Sequence, residues 1–267
     1  MIITSQGFGH FTHGINNQDF GMENDNKDML LILDGCSQAT YAESGTRLFA
    51  QLFSRKEEWD NLEKFEDNVK DVFDYLIEMM KNYYPTQESL EKDFIMENLL
   101  FTIIACFETE DAYIVKLFGD GYIITQNKKG LISYIKFSYG KCPPYFAYRY
   151  CPQSAPSFAG YQFKTFVFDK KAFQKVAIAT DGIMPIAKGN NKGLDFDIVN
   201  GNKTLIEMEI KRQRMSFFDD VTIGMFGGKA NGEFRETEKV EKEKMDDGKG
   251  FFKQRRRDRK TETTAVY

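Results

Sequence analysis

Four short acidic stations have the residue types to build a carboxylate cage: Asn17-Gln18-Asp19, Asp34-Gly35, Asp181-Gly182 and Asp219-Asp220, each at the expected edge of a strand. Carboxylates brought together repel, since two unit charges ~4 Å apart cost about 4 kcal/mol at an effective dielectric near 20. No Lys or Arg flanks Asp34, Asp181 or Asp219 closely in sequence, so divalent cations are the natural counter-charge. An all-oxygen donor set favours Mg²⁺ or Mn²⁺ over Zn²⁺, which more often recruits His or Cys. Two such ions ~3.5 to 4 Å apart acidify a water between them and clamp a phosphoryl oxygen. The expected chemistry is phosphate-ester hydrolysis without a protein nucleophile.

Each station has a plainer local reading. Asp-Gly pairs suit turns, because Asp bonds its own backbone and Gly tolerates left-handed conformations. Asp19 suits a turn cap, and Gly119-Asp120-Gly121 is a hairpin signal in its own right. Taken singly, these residues support only a possible metal hydrolase.

The positioning elements follow from hydrophobic pattern. Met29 to Leu33 is a continuous apolar run, the mark of a buried strand, and it ends at Asp34-Gly35. Helical spacing appears over Glu43 to Trp59 and more clearly over Asp67 to Tyr84, where Val69, Val72, Phe73, Leu76, Ile77 and Met80 form one stripe before Pro85 stops it. Strands are predicted at Leu99 to Phe107, Ala112 to Phe118, Tyr122 to Gln126 and Leu131 to Phe137, read as an antiparallel meander. Tyr139 to Gly160 reads as a loop holding four of the six prolines and many aromatics. Strands at Phe163 to Phe168 and Val176 to Ala179, a weaker helix at Lys203 to Gln213, and a last strand at Val221 to Phe226 complete the order. Hairpin-spaced strands with a few long helices predict an α+β fold, an antiparallel sheet packed by helices.

Composition narrows the class. The 267 residues are 42% hydrophobic, enough for a sizeable core, and no apolar run approaches the ~18 residues of a membrane helix. A cytoplasmic monomer without a transmembrane segment is expected. Cys36, Cys106, Cys142 and Cys151 lack paired CxxC spacing, so reduced thiols are expected, although Cys142 and Cys151 flank one Pro-rich loop. Residues 228–267 carry 12 basic and 9 acidic side chains, which leaves the body at net −7 and the tail at +3. With so few apolar residues that tail is expected to be disordered, giving a domain at 1–227 and a charged tail at 228–267. An acidic body argues against nucleic acid as the main ligand.

In their order the stations resemble the metal-dependent, PP2C-like Ser/Thr protein phosphatases. The likeness runs from Gly7 to about Phe226. It is carried by Gly7-Phe8-Gly9-His10 with Asn17-Gln18-Asp19, by Leu30 to Ser37 with Gly45, by Phe118 to Gly121, by Ala177 to Ile183, and by Phe218 to Thr222. The resemblance implies a β-sandwich of two antiparallel sheets flanked by helices. It further implies a hydroxide bridging two Mg²⁺ or Mn²⁺ ions, a phosphorylated protein as substrate and a Ser/Thr kinase as opponent. Asp34 is similar to the carboxylate that bridges both metals, with the Gly35 carbonyl completing the second ion's shell. Asp181 and Asp219 resemble ligands of the first ion, Asp19 the carboxylate that holds metal-bound water, and Asp120 the residue that joins Asp181 at a weaker third ion. Tyr139 to Gly160 falls where the family carries its mobile flap.

The chain departs from the pattern where many members place a phosphate-binding Arg. It reads His10-Phe11-Thr12-His13-Gly14-Ile15-Asn16 there, which resembles a bacterial-type branch with Gly-x-x-His. His10, with His13 behind it, is the candidate for phosphate contact or for protonating the leaving alkoxide. Gln18 stands where many members carry an acid. The missing Arg keeps an alternative open, a catalytically weak or inactive phosphatase-like module that binds and regulates a phosphoprotein or kinase.

Overall fold

A computed structural model of the protein describes residues 1–83, 88–139, 142–158, 160–187, 198 and 201–226. Ten strands form two antiparallel five-stranded sheets. One has the order β1 (Ile2–Ser5), β10 (Val221–Met225), β9 (Phe173–Ala179), β6 (Gly121–Asn127), β7 (Ile132–Phe137). The other has the order β2 (Phe20–Glu23), β3 (Met29–Gly35), β4 (Phe101–Glu108), β5 (Ala112–Phe118), β8 (Lys164–Asp169). The helices are α1 (Phe8–His13), α2 (Ala42–Phe53), α3 (Phe65–Tyr83), α4 (Glu88–Asn98) and α5 (Lys203–Arg212).

Three apolar layers hold these elements together. Leu30, Ile32, Ile104, Val115, Ile123, Val176 and Ile178 meet between the sheets. Met29, Leu31 and Leu33 face outward onto Phe49, Phe53, Val69, Phe73 and Leu76 of α2 and α3. On the far side, Ile124, Ala177 and Ile223 pack under Ile206 and Ile210 of α5. β3 is therefore buried on both faces, which explains its unbroken apolar sequence. Side chains alternate along a strand, so Asp34 follows Leu30 and Ile32 to the space between the sheets. It emerges where that space opens at the sandwich end.

The meander expected from Leu99 to Phe137 is two hairpins in different sheets. β4 pairs with β5 in one, and β6 pairs with β7 in the other. The Gly119-Asp120-Gly121 segment is consequently a crossing between sheets and not a hairpin turn. Gly119 (φ 115°) and Gly121 (φ 130°) adopt backbone conformations that only Gly takes without strain, and this lets the chain change sheets in so few residues.

The helix expected to reach Trp59 ends at Phe53, and the chain folds back through Glu58 (φ 53°) to set Trp59 edge-on to Phe53 at 6.0 Å. Of the loop expected from Tyr139 to Gly160, the described part is seated on the helical layer. Phe146 is fully buried, 4.8 Å from Phe73 and 5.2 Å from Phe118. Cys36, Cys106 and Cys142 are free thiols. The tail expected from residue 228 lies outside the described residues.

Candidate metal centre

Strand ends deliver the expected carboxylates to one place. Asp34 leaves β3, Asp120 stands at the sheet crossing, Asp181 follows β9 and Asp219 precedes β10. These four line one cleft of about 180 Å³ together with Gly35, Cys36, Thr102, Cys142 and Tyr145. Asp19, directly before β2, is buried and acts electrostatically on Asp34. Close backbone approach fixes part of this arrangement: a Cβ on Gly182 would lie 1.9 Å from the Asp220 carbonyl oxygen, so only Gly fits there.

The electrostatics show the strain expected of such a group. Burial raises the Asp34 carboxyl well above the usual range, and Asp19, Asp181, Asp120 and Asp219 raise it further. Asp19 is raised well above normal by burial and then by Asp220, against a hydrogen bond from Thr180 that lowers it. Asp120 is pushed up to about 7 by burial and Asp181, with Lys136 opposing. Asp181 is raised by burial and Asp219, again against Lys136, and Asp219 by burial, against its neighbour's backbone N–H and His10.

Donor chemistry favours hard divalent cations here. Every cleft carboxylate offers oxygen, and the named charges acting on Asp34 are all acidic. The Thr102 hydroxyl, buried beside the cleft and paired in register with Asp34, has no hydrogen-bond partner among the described residues. Mg²⁺ and Mn²⁺ suit this oxygen-rich set.

A second layer locks the carboxylates in place. Asp220, 3% exposed, accepts from the Gly7 backbone N–H at 2.8 Å and from the Gln18 N–H at 2.7 Å. His10 Nδ1 lies 2.8 Å from its Oδ2, while His10 Nε2 faces Asp219 Oδ1 at 3.7 Å. Ligand-type atoms of His10, Asp219 and Asp220 lie within 4.8 Å of one another. Asp220 already accepts three donors, so this triad is a lock behind the cleft. Thr180 donates its hydroxyl to Asp19 at 2.8 Å and accepts from the Thr222 backbone N–H at 2.9 Å, tying three stations into one network.

The structure places the histidines differently. His10 is buried against the acidic pair, whereas His13 is exposed with Nδ1 2.7 Å from the Gly9 carbonyl of its own helix. Gln18 is turned inward, donating to the Ala39 carbonyl at 3.3 Å. Sequence reasoning named Asp220 and Thr180 within their stations without giving either a role, and missed Lys136. Consecutive acids at a strand start must point to opposite sides, which was the available signal for Asp220. Lys136 pairs in register with Tyr122, two residues beyond Asp120, a relation that appears only once the hairpin is aligned. The larger cavity, about 620 Å³, lies at the other end of the strands around Asp28, Lys170, Phe173 and Phe226. Asp28 and Glu108 are the carboxylates among its lining residues, against four in the smaller cleft.

No protein-family model matches the chain, and no curated protein matches its sequence. Solved structures match the fold. A bacterial serine phosphatase is 14% identical with a TM-score of 0.56, covering 85% of this chain and 97% of that one. The serine/threonine phosphatase Stp1 from Staphylococcus aureus is 13% identical with a TM-score of 0.55, covering 85% and 94%. The catalytic domain of the serine/threonine protein phosphatase PstP, in complex with two manganese ions, is 13% identical with a TM-score of 0.52, covering 84% and 95%. The fold is PP2C-like: two antiparallel sheets with flanking helices.

Proposed function

We propose that the protein is a metal-dependent phosphoprotein phosphatase acting on phosphoserine and phosphothreonine. One observation carries the reading: five carboxylates converge at one sandwich end, and the basic side chains acting on them are exposed Lys136 and buried His10. When bound, two Mg²⁺ or Mn²⁺ ions would acidify a water between them and polarise a phosphoryl oxygen. Asp34, which faces the other carboxylates from between the sheets, would hold both ions, with the Gly35 carbonyl beside it. Asp181 and Asp219 would hold one ion, and Asp120 with Asp181 would hold a weaker third. Asp19, held by Thr180, orients water.

Asp220 engages Nδ1 of His10, so Nε2 is the atom available to steady Asp219, contact phosphate or hand a proton to the leaving alkoxide. His13 stands behind it on the same helix as a substrate contact. The exposed rings of Phe218 and Phe11 give the α1 side an apolar surface suited to a protein substrate. Among the described residues no helix is long and apolar enough to cross a membrane, and we place the enzyme in the cytoplasm, opposing a Ser/Thr kinase.

The test is hydrolysis of p-nitrophenyl phosphate and phosphothreonine peptides by the full chain with Mn²⁺, alongside calorimetric metal titration. Turnover of both with saturable metal binding is expected. Absence of turnover together with absence of a metal site sinks the reading.

A further inference from the structure

Two thiols share the cleft with the carboxylates. Cys36 follows Gly35 directly and is partly buried against the helical layer. Cys142 is exposed, with its Sγ 3.1 Å from Oη of Tyr148. The rings of Tyr145 and Tyr148 lie 5.5 Å apart and are themselves buried, and Tyr145 lines the cleft beside both thiols. Cys36 and Cys142 stand 106 positions apart in sequence yet line the same cavity of about 180 Å³, with Asp34, Asp120, Asp181 and Asp219. Cys106 is buried between the sheets, and Cys151 is buried with its thiol toward the Ala147 carbonyl at 3.7 Å.

We infer that Cys36 and Cys142 form an oxidant-responsive pair whose disulfide closes the cleft. Exposure sets the order of events, because oxidation follows access. A hydroperoxide oxidises the Cys142 thiol to a sulfenic acid: RSH and H₂O₂ give RSOH and H₂O, the peroxide taking up two electrons. The Cys36 sulfur then attacks that sulfenic sulfur, the S–O bond breaks, and the oxygen leaves as water with the Cys36 proton. A dithiol reductant reverses the bond by exchange. The link ties the end of β3 to the Cys142–Phe158 loop across the carboxylates. Its effect on turnover rests on the proposed phosphatase activity, but its formation does not.

The test treats the full chain with hydrogen peroxide, blocks remaining thiols with an alkylating agent and maps peptides without reduction. The expected result is a Cys36–Cys142 linked peptide, loss of two of the four thiols and restoration by dithiothreitol. Cys142→Ser and Cys36→Ser should each abolish the link. The melting temperature of each variant checks folding, and Cys142→Ala provides a second substitution at the exposed site. Where Mn²⁺-dependent turnover is measurable, it should fall at least tenfold with the link and resist peroxide in Cys142→Ser. Retention of all four thiols, a Cys142–Cys151 link, or a sulfenic acid on Cys142 without the cross-link overturns the inference, whether or not the protein hydrolyses phosphate esters.

Discussion

His10 Nδ1 lies 2.8 Å from Oδ2 of Asp220 in the protein interior, joining the first helix to the approach of the last strand across 210 residues. Two backbone N–H groups, of Gly7 and Gln18, aim at the same carboxylate. Asp220 is thus an anchor, while its neighbour Asp219 lines the cleft.

Asp220→Ala leaves three buried donors unpaired, at about 1–3 kcal/mol each before relaxation. The metal-free protein should lose roughly 10 °C in melting temperature, at ~2–4 °C per kcal/mol. Asp219→Asn removes a repelling charge and should leave the melting temperature unchanged or higher. Scanning fluorimetry of both variants in EDTA checks the contrast. Equal losses would mean that both acids are structural.

Asp34→Asn and Asp181→Asn should separate stability from activity. Each removes negative charge from a crowded cleft, so the metal-free fold should melt at or above the wild-type temperature. Mn²⁺-dependent phosphopeptide hydrolysis should fall by at least ~10²-fold, the scale on which positioned electrostatic groups act. Equal biological activity of wild type and both variants would instead favour a binding module.

The pH dependence has a definite sign. Asp34, Asp19, Asp120, Asp181 and Asp219 all bind protons more tightly folded than unfolded. Their stabilising contribution is fully present below the unfolded carboxylate value of about 4 and is lost as pH rises through the folded values, about 7 for Asp120. The melting temperature contribution from this cluster should therefore decline between pH 5 and 8 in EDTA. Mn²⁺ should raise the melting temperature more at pH 7.5 than at pH 5, and a difference of the opposite sign would remove the cluster as a metal site.

Lys136 lowers the proton affinity of Asp120 and Asp181. By the same field it opposes cation binding. Lys136→Gln should lower the half-saturating Mn²⁺ concentration by about two- to threefold at low salt, and the gain should shrink near 0.5 M salt because the side chain is exposed. Calorimetric titration at two ionic strengths measures this.

The long apolar strands and the stripe of α3 were legible because period and length agreed over many residues. β1 and β2 have four residues each, too few for periodicity to register. α4 was missed because its eleven residues are mostly polar, with Phe94 and Ile95 as adjacent apolar positions on one side. The cleft acids could be found from their strand-end positions. The roles of their supports could not, since Thr180 and Asp220 serve Asp19 and His10 across separations of 161 and 210 residues. Gly119-Asp120-Gly121 misled because the same torsional freedom serves a hairpin and a change of sheet.

The pairing of β1 with β10, Ile2 opposite Gly224 through Ser5 opposite Val221, bears on biosynthesis. The cleft draws Asp19 from one end of the domain and Asp219 from the other, and loop closure between distant segments is slow. A chain still growing on the ribosome has its early carboxylates without the late ones. Only when the last strand has emerged can all these carboxylates come together.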